Sequence, residues 1–442
     1  MDKHALHQRI RDLRASSKRL AASRQEERNA LLLAMAENLR TAYPVIASAN
    51  QEDVRSAREN GQKESLIKRL VFSQEKLEAS LAGLRQVAQL DDPIGKVKQR
   101  RLLDTGLLLE QVTFPIGVIG MIFEARPDAL IQIVSLCLKS GNGIILKGGR
   151  EAQRTNTALV EVIKQSCASS TLGDAWLTLL ESHGDVDQIL GMEDEIDLLI
   201  PRGSNQFVKY VMEHTSIPVL GHADGICHLY IDEKADLDKA VEIAFDSKTQ
   251  YPAACNAVET ILVHQKVAKQ VLQPLARRLA EGNVVIHGDS VVCSCIQAIP
   301  YEQGDWEREY LQNEVNIHVV DSLQQAIEHI EEYGSHHTDA IVSEDSQAVR
   351  TFFTQVDSAD VFANCSTRFS DGYRFGLGAE VGISTAKIHA RGPVGLEGLM
   401  STKYLVRGTG QVVSTYAGAV PKPFLHQELA CDGHSMLSGE EV

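Results

Sequence analysis

Along residues 3–87 apolar side chains recur at spacings of three and four, as in Leu31, Leu32, Met35 and Leu39, within a charged, glycine-poor setting. That period predicts a nearly continuous helical layer, which needs a partner to bury its apolar stripe. The pattern then changes. Val97 to Leu103 and Leu107 to Thr113 read as short strands, and Asp104-Thr105-Gly106 between them is a turn-forming sequence, so a hairpin is predicted.

From 114 to 232 short apolar runs alternate with helical stretches. Strands are expected at Gly117 to Phe123, Gly143 to Lys147, Ile196 to Ile200 and His228 to Ile231. Helices are expected from Pro127, with Leu130, Ile133 and Cys137 on one face, from about Glu151 to Ser166, and after Gly203. A second alternating series runs from 236 to 395, with strands at Thr260 to Val263, Val284 to Ile286, Val315 to Val320 and Ala340 to Val342. Helices lie around Leu237 to Ala244, Val267 to Leu279 and Leu323 to Ile330. Such alternation implies α/β domains with parallel sheets and right-handed crossovers, here two of them with a boundary near residue 230. A glycine-rich stretch from Gly376 to Gly398 leads to a strand-like end at Val412 to Thr415, and Pro421 to Val442 reads as a loose tail.

Composition narrows the function classes. Lys plus Arg number 44 against 59 for Asp plus Glu, a formal charge of −15, which argues against DNA or an anionic membrane as the main partner. Aromatic residues make up only 5%, too few for base-stacking platforms. No apolar run approaches the length of a membrane span, and the charged start at Met1-Asp2-Lys3-His4 does not read as a signal peptide, so a cytoplasmic location is expected. Eight cysteines are too sparse for a disulfide scaffold. The close pair Cys293 and Cys295 lacks a second pair at zinc-finger spacing, and the adjacent His336 and His337 diverge on any regular element, so no metal site is expected.

The generic G-x-G-x-x-G fingerprint is absent in clean form. Instead the chain carries Pro115-Ile116-Gly117-Val118-Ile119-Gly120, then Ser140-Gly141-Asn142-Gly143 through Lys147-Gly148-Gly149, then Cys255 in a short polar turn before a strand. In that order these features resemble the aldehyde dehydrogenase superfamily. The blocks Phe123-Glu124-Ala125-Arg126-Pro127-Asp128, Ile200-Pro201-Arg202-Gly203-Ser204, Pro252-Ala253-Ala254-Cys255-Asn256-Ala257-Val258-Glu259-Thr260, Ser366-Thr367-Arg368-Phe369-Ser370-Asp371-Gly372, Gly376-Leu377-Gly378-Ala379-Glu380 and His389-Ala390-Arg391-Gly392-Pro393-Val394-Gly395 sharpen the likeness. They resemble its glutamate-5-semialdehyde dehydrogenase (gamma-glutamyl phosphate reductase) branch, over roughly residues 5 to 417.

The resemblance implies reduction of L-glutamyl 5-phosphate by NADPH to L-glutamate 5-semialdehyde and phosphate, the second step of proline biosynthesis. Such chemistry calls for a thiolate that expels phosphate and holds the acyl group as a thioester, and Cys255 stands at the nucleophile position. Cys137, Cys167, Cys227 and Cys365 read as structural. The backbone N–H of Cys255 is the natural first oxyanion donor. Ala125 stands where hydrolytic relatives carry an Asn donor, which leaves Arg126 or Asn256 as the second. His222 stands where hydrolytic relatives carry the Glu that activates water, and losing that base suits an enzyme whose thioester must meet phosphate.

On the cofactor side, Lys147 and Gly148 resemble the ribose-contacting turn. Arg150 stands three residues beyond Lys147, where NAD users often carry Glu, and would attract a 2′-phosphate; a one-residue slip would put Glu151 there instead. Gly203 and Ser204 resemble the start of the pyrophosphate-side helix, and Glu314 the residue that holds the nicotinamide ribose. Arg126, Arg368, Arg374 and Arg391 are candidates for the substrate phosphate and α-carboxylate, with the assignment open. An aldehyde dehydrogenase of other specificity, or a catalytically silent binding subunit, remain the alternatives.

The expected fold is therefore aldehyde dehydrogenase-like α/β, with two parallel-sheet domains and a small β oligomerisation element. Residues 1–96 and 114–230 form the dinucleotide-binding domain, 231–398 the catalytic domain, 97–113 and 399–417 the oligomerisation element, and 418–442 a tail. An exposed hairpin is an aggregation hazard unless paired, so a homodimer or homotetramer is expected. A contact with glutamate 5-kinase, which supplies the labile acyl phosphate, is left open.

Overall fold

The apolar runs Val118–Phe123 and Gly143–Gly148 are buried at every residue, as expected when helices cover both faces of a parallel sheet. The computed structural model describes residues 3–438 except 125, 169, 182–183, 222–223 and 432–434. In it these two runs are the central strands of a parallel sheet flanked by Leu177–Leu179 and Leu198–Arg202. Helices Gln25–Thr41, Gln74–Gln89, Pro127–Ser140 and Gln153–Cys167 cover one face, while Lys3–Ala21 and Asn205–Glu213 cover the other. The N-terminal helical layer thus finds its partner in this sheet.

Among the described residues a second parallel sheet has seven strands. Their order is Ile299–Pro300, Val285–Gly288, Glu314–Val320, Val258–His264, Cys227–Ile231, Thr338–Val342 and Asp360–Ala363. Leu237–Thr249 and Gln265–Glu281 pack on one face, Leu323–Tyr333 and Ser346–Gln355 on the other. The strand expected at His228 to Ile231 as the last of the first series belongs here instead, paired with Val258–His264 and Thr338–Val342. The described part of 214–226 contains no crossover helix. The chain leaves the first sheet there, after a single bridge between Leu199 and Val219.

The hairpin forms as expected, from Val97–Asp104 and Leu107–Pro115. Gly106 takes φ 71° in its turn, a conformation that favours glycine. Met400–Arg407 pairs with the hairpin on one side. Val412 to Thr415 is not a strand: Val413–Thr415 is a 3-10 turn, reached through Gly410 at φ 112°, which turns the chain out of extended geometry. The tail is not loose either, because Gln427–Leu429 pairs with Val97–Asp104 on the hairpin's other side. Asp104 accepts hydrogen bonds from Tyr416 Oη at 2.7 Å and from Lys422 Nζ, and Met436 N donates to Glu110 Oε2 at 2.8 Å. The anchors are specific polar contacts spread over a segment without periodicity, so hydrophobic patterning carries no trace of them. Among the described residues no helix is long and apolar enough to cross a membrane.

Candidate active site

In the first sheet Phe123, Gly148 and Arg202 lie side by side at the carboxyl ends of their strands. That edge of an open α/β sheet is where nucleotides bind, because helix N-termini and free N–H groups gather there. Lys147 is buried, with Nζ donating to Gly148 O at 2.7 Å. A pocket of about 240 Å³, open to solvent, is lined by Lys147, Gly148, Arg150, Gln153, Asn156 and Glu181 among others. Arg150 is exposed at its rim, and no carboxylate pairs with it among the described residues. Ser204 N donates to Glu124 Oε2 at 3.1 Å just before the helix Asn205–Glu213. Lys147, Gly148, Arg150, Gly203 and Ser204 are therefore all brought to one edge.

Cys255 lies on the second sheet, in the turn between the helix Leu237–Thr249 and the strand Val258–His264. The chain around Gly225 runs directly against this turn: a Cβ on Gly225 would sit 2.1 Å from Cys255 O and 2.6 Å from its Cα. Burial pushes the Cys255 thiol up, but the charge of His337, a hydrogen bond from His337 and the charge of Arg202 outweigh it, with Glu309 opposing. The net displacement is downward, toward thiolate. Burial pushes the other displaced thiols the opposite way: Cys137 and Cys227 rise steeply, Cys167 goes up to about 11 and Cys365 also rises. Arg368, itself buried, is also within electrostatic reach of the Cys255 sulfur.

Three of these neighbours escape the sequence reading. Arg202 ends a strand of the first sheet within electrostatic reach of Glu380, Cys255 and Arg126, so a cation of the first sheet acts on the sulfur of the second. His337 is fully buried just before Thr338–Val342; its partner in the pair, His336, turns out at φ 57° and bonds Asp357 O. Adjacent histidines do diverge, and that divergence is what sends one of them inward. Glu309 accepts from Gly225 N at 3.1 Å and from Asn205 Nδ2 at 2.7 Å. Glu314, five residues on, instead meets His287 Nε2 at 3.0 Å and Gln312 Nε2 at 2.5 Å. Leu311, at φ 56°, turns the chain between the two glutamates, a feature no spacing rule exposes.

The remaining residues fall into distinct places. Asn256 is buried and donates through Nδ2 to Ser370 O at 2.5 Å, so its amide anchors the Cys255 turn to the loop bearing Arg368. Arg368 Nε donates to Gln250 Oε1 at 2.9 Å, and Arg374 Nη1 to Arg368 O at 2.6 Å. Arg126 lies half-buried before the helix Pro127–Ser140, within electrostatic reach of Arg202. Arg391 is bound to Asp357, 2.9 Å from both its Oδ1 and its carbonyl oxygen. His222 and Ala125 lie outside the described residues. Beneath the turn, Lys248 Nζ and Glu259 Oε2 form a fully buried pair at 2.6 Å, in which burial pushes the glutamate up to about 7 against the pull of the lysine.

The sequence profile of the aldehyde dehydrogenase family matches residues 1–292. The chain is 50% identical over 425 residues to gamma-glutamyl phosphate reductase 1 of Synechocystis sp., covering 96% of this chain and 98% of that protein. It is 52% identical over 416 residues to gamma-glutamyl phosphate reductase of Cyanothece sp., covering 94% and 96% respectively. The crystal structure of gamma-glutamyl phosphate reductase from Thermotoga maritima superposes with a TM-score of 0.90 at 36% identity, over 92% of this chain and 99% of that one. This chain belongs to the aldehyde dehydrogenase family, in its gamma-glutamyl phosphate reductase branch.

Proposed function

We propose that the protein reduces L-glutamyl 5-phosphate with NADPH to L-glutamate 5-semialdehyde and phosphate, the second step of proline biosynthesis from glutamate. The observation that carries this reading is Cys255, the one displaced thiol driven toward thiolate, set among His337, Arg202 and Arg368 where the two sheets meet. Its relatives at about half identity over nearly their whole length bear the name of that activity.

The residues of the first sheet's edge fit a nicotinamide dinucleotide. Gly148 leaves backbone room, since a Cβ there would meet Asn156 Nδ2 at 2.1 Å, and Lys147 offers a buried cation beside it. Arg150 at the rim suits a 2′-phosphate, which favours NADP over NAD. Gly203 and Ser204 open the helix toward a pyrophosphate, and Glu309 takes the part that the resemblance gives to Glu314, because it faces the sulfur. When bound, the cofactor supplies the hydride that reduces the thioester.

The chain's own residues do the rest. Arg202 and Arg368 draw the doubly anionic phosphoryl group and the carboxylate to the sulfur, Arg126 supports Arg202, and Arg374 steadies the Arg368 loop. The Cys255 thiolate attacks the acyl carbon, phosphate leaves with the C–O electron pair, and the Cys255 backbone N–H steadies the developing oxyanion. Asn256 holds the turn in place. The protein works in the cytoplasm as a homodimer or homotetramer joined through the hairpin sheet.

The test is the reverse reaction: NADP reduction by glutamate 5-semialdehyde, with and without inorganic phosphate, in the parent and in Cys255→Ala. Strict dependence on both phosphate and Cys255 is expected. Turnover without phosphate would mean that water reaches the thioester, and the reading would fall.

A further inference from the structure

The thiol of Cys255 begins as S–H in a half-buried turn, and something must take its proton. We propose that His337 is the base that takes this proton and then passes it to the departing phosphate. The inference rests on the reading of Cys255 as the nucleophile and adds to it the residue that charges and discharges the sulfur.

Geometry carries the argument. His337 is fully buried, and its side chain hydrogen-bonds that of Cys255. Its Nδ1 is 2.8 Å from Thr338 Oγ1, also fully buried, a contact that holds the ring and occupies Nδ1. With Nδ1–H donating to Thr338, Nε2 carries the lone pair that a base requires. The backbone is fixed as well, because His337 O accepts from Asp360 N at 3.0 Å and so joins the imidazole to the edge of the seven-stranded sheet.

Among the described residues, charged and titratable groups face this pair from four directions. They are Arg202 from the first sheet, Arg368 from the 366–372 loop, Glu309 from the segment before Glu314–Val320, and Cys227 from the neighbouring strand, whose Sγ contacts Cys255 O at 3.2 Å. Asp339, the nearest carboxylate in sequence, is bound to His228 and Ser358 instead.

The step balances. The S–H proton moves to Nε2, a C–S bond forms as the acyl C–O bond breaks, and phosphate departs with that electron pair and takes the proton from Nε2. With NADPH bound at the first sheet's edge, its hydride would reduce the thioester; the C–S bond would then break to give the aldehyde, and the released thiolate would regain a proton from solvent. A cysteine with this partner needs neither a general-base carboxylate nor water at the thioester.

The test is the pH dependence of iodoacetamide labelling at Cys255, followed by peptide mapping with exposed Cys431 as internal reference, in the parent, His337→Gln and Thr338→Val. The expected result is labelling of the parent at lower pH than Cys431. His337→Gln should move the profile up toward that of Cys431 and lower kcat roughly 10²- to 10⁴-fold. Thr338→Val should shift the profile the same way by less. Labelling profiles that coincide in all three proteins, with kcat of His337→Gln within threefold of the parent, would overturn the assignment. Because labelling needs no substrate, a shifted profile in a protein that fails to reduce L-glutamyl 5-phosphate would uphold the pair and sink only the substrate reading.

Discussion

The two parallel sheets use opposite edges. In the first, Lys147, Gly148, Arg150 and Ser204 gather at the carboxyl ends of the strands, where helices begin and their field favours phosphate. In the second, Cys255, Cys227 and His337 precede or open the strands Val258–His264, Cys227–Ile231 and Thr338–Val342, so the proposed nucleophile and base lie at the amino edge. Crossover helices end there, and Leu237–Thr249 finishes just before the Cys255 turn. A helix C-terminus carries about half a negative charge, the wrong field for a thiolate. The sulfur must therefore be charged by side chains brought from elsewhere, and Arg202, reaching over from the first sheet, is one of them. A favourable edge needs little help from side chains; an unfavourable one has to be corrected by cations.

The sharpest way to break this division is to remove the sulfur. Cys255→Ala should lower turnover by roughly 10⁴-fold or more while leaving NADPH binding, measured by calorimetry, within a factor of about two. Loss of nucleotide binding as well would mean that the two edges are not separable.

Arg202→Gln tests the cation that comes from the first sheet toward the sulfur. It should lower kcat/KM by about 2–5 kcal/mol, as expected when a buried charged contact is removed, and move Cys255 labelling to higher pH. An unchanged labelling profile would place the charge of Arg202 away from the sulfur.

Arg150→Glu concerns the first edge alone. It should weaken NADPH by about 1.5–3 kcal/mol, roughly 10- to 100-fold, spare NADH and leave the labelling profile of Cys255 where it was. Equal loss of both nucleotides would remove Arg150 from the 2′-phosphate.

The smallest effect belongs to the sheet built on the hairpin. Lys422, Tyr416 and the Thr105 N–H hold the Asp104 carboxyl down at about 2. Because the folded value lies below the ordinary 3.8, the stabilisation is complete above that pH and is lost as pH falls toward about 2. Asp104→Asn should make the segment after residue 416 protease-sensitive at neutral pH without changing kcat/KM.

Much of the architecture was legible because it depends on period. Helices such as Gln25–Thr41 and Gln265–Glu281 bury the residues whose three- and four-spacing announces them. Strand membership was less legible: the run at His228 is strand-like in isolation, and only the missing crossover helix assigns it to the second sheet. At the site, Cys255 stood out by its setting in a polar turn before an apolar strand. Glu309 did not, since its place depends on a left-handed residue two positions later. His337 was hidden for a different reason: its partner lies 82 positions back in the chain, and two histidines in a row look like surface decoration. Arg391, which shares a motif with the site, is committed to Asp357, because a shared motif does not distinguish a residue that meets substrate from one that braces a loop.

The short strand Gln427–Leu429 bears on how copies of this chain can add to one another. A bare hairpin flanked by Met400–Arg407 would offer two open borders, and a ribbon with two open borders can propagate without limit. By laying Gln427–Leu429 along Val97–Asp104, the chain blunts one border with three residues, too few to template a neighbour. Any joining of this ribbon to a copy through a strand border is then left to Met400–Arg407 alone, so the short strand decides which border is on offer.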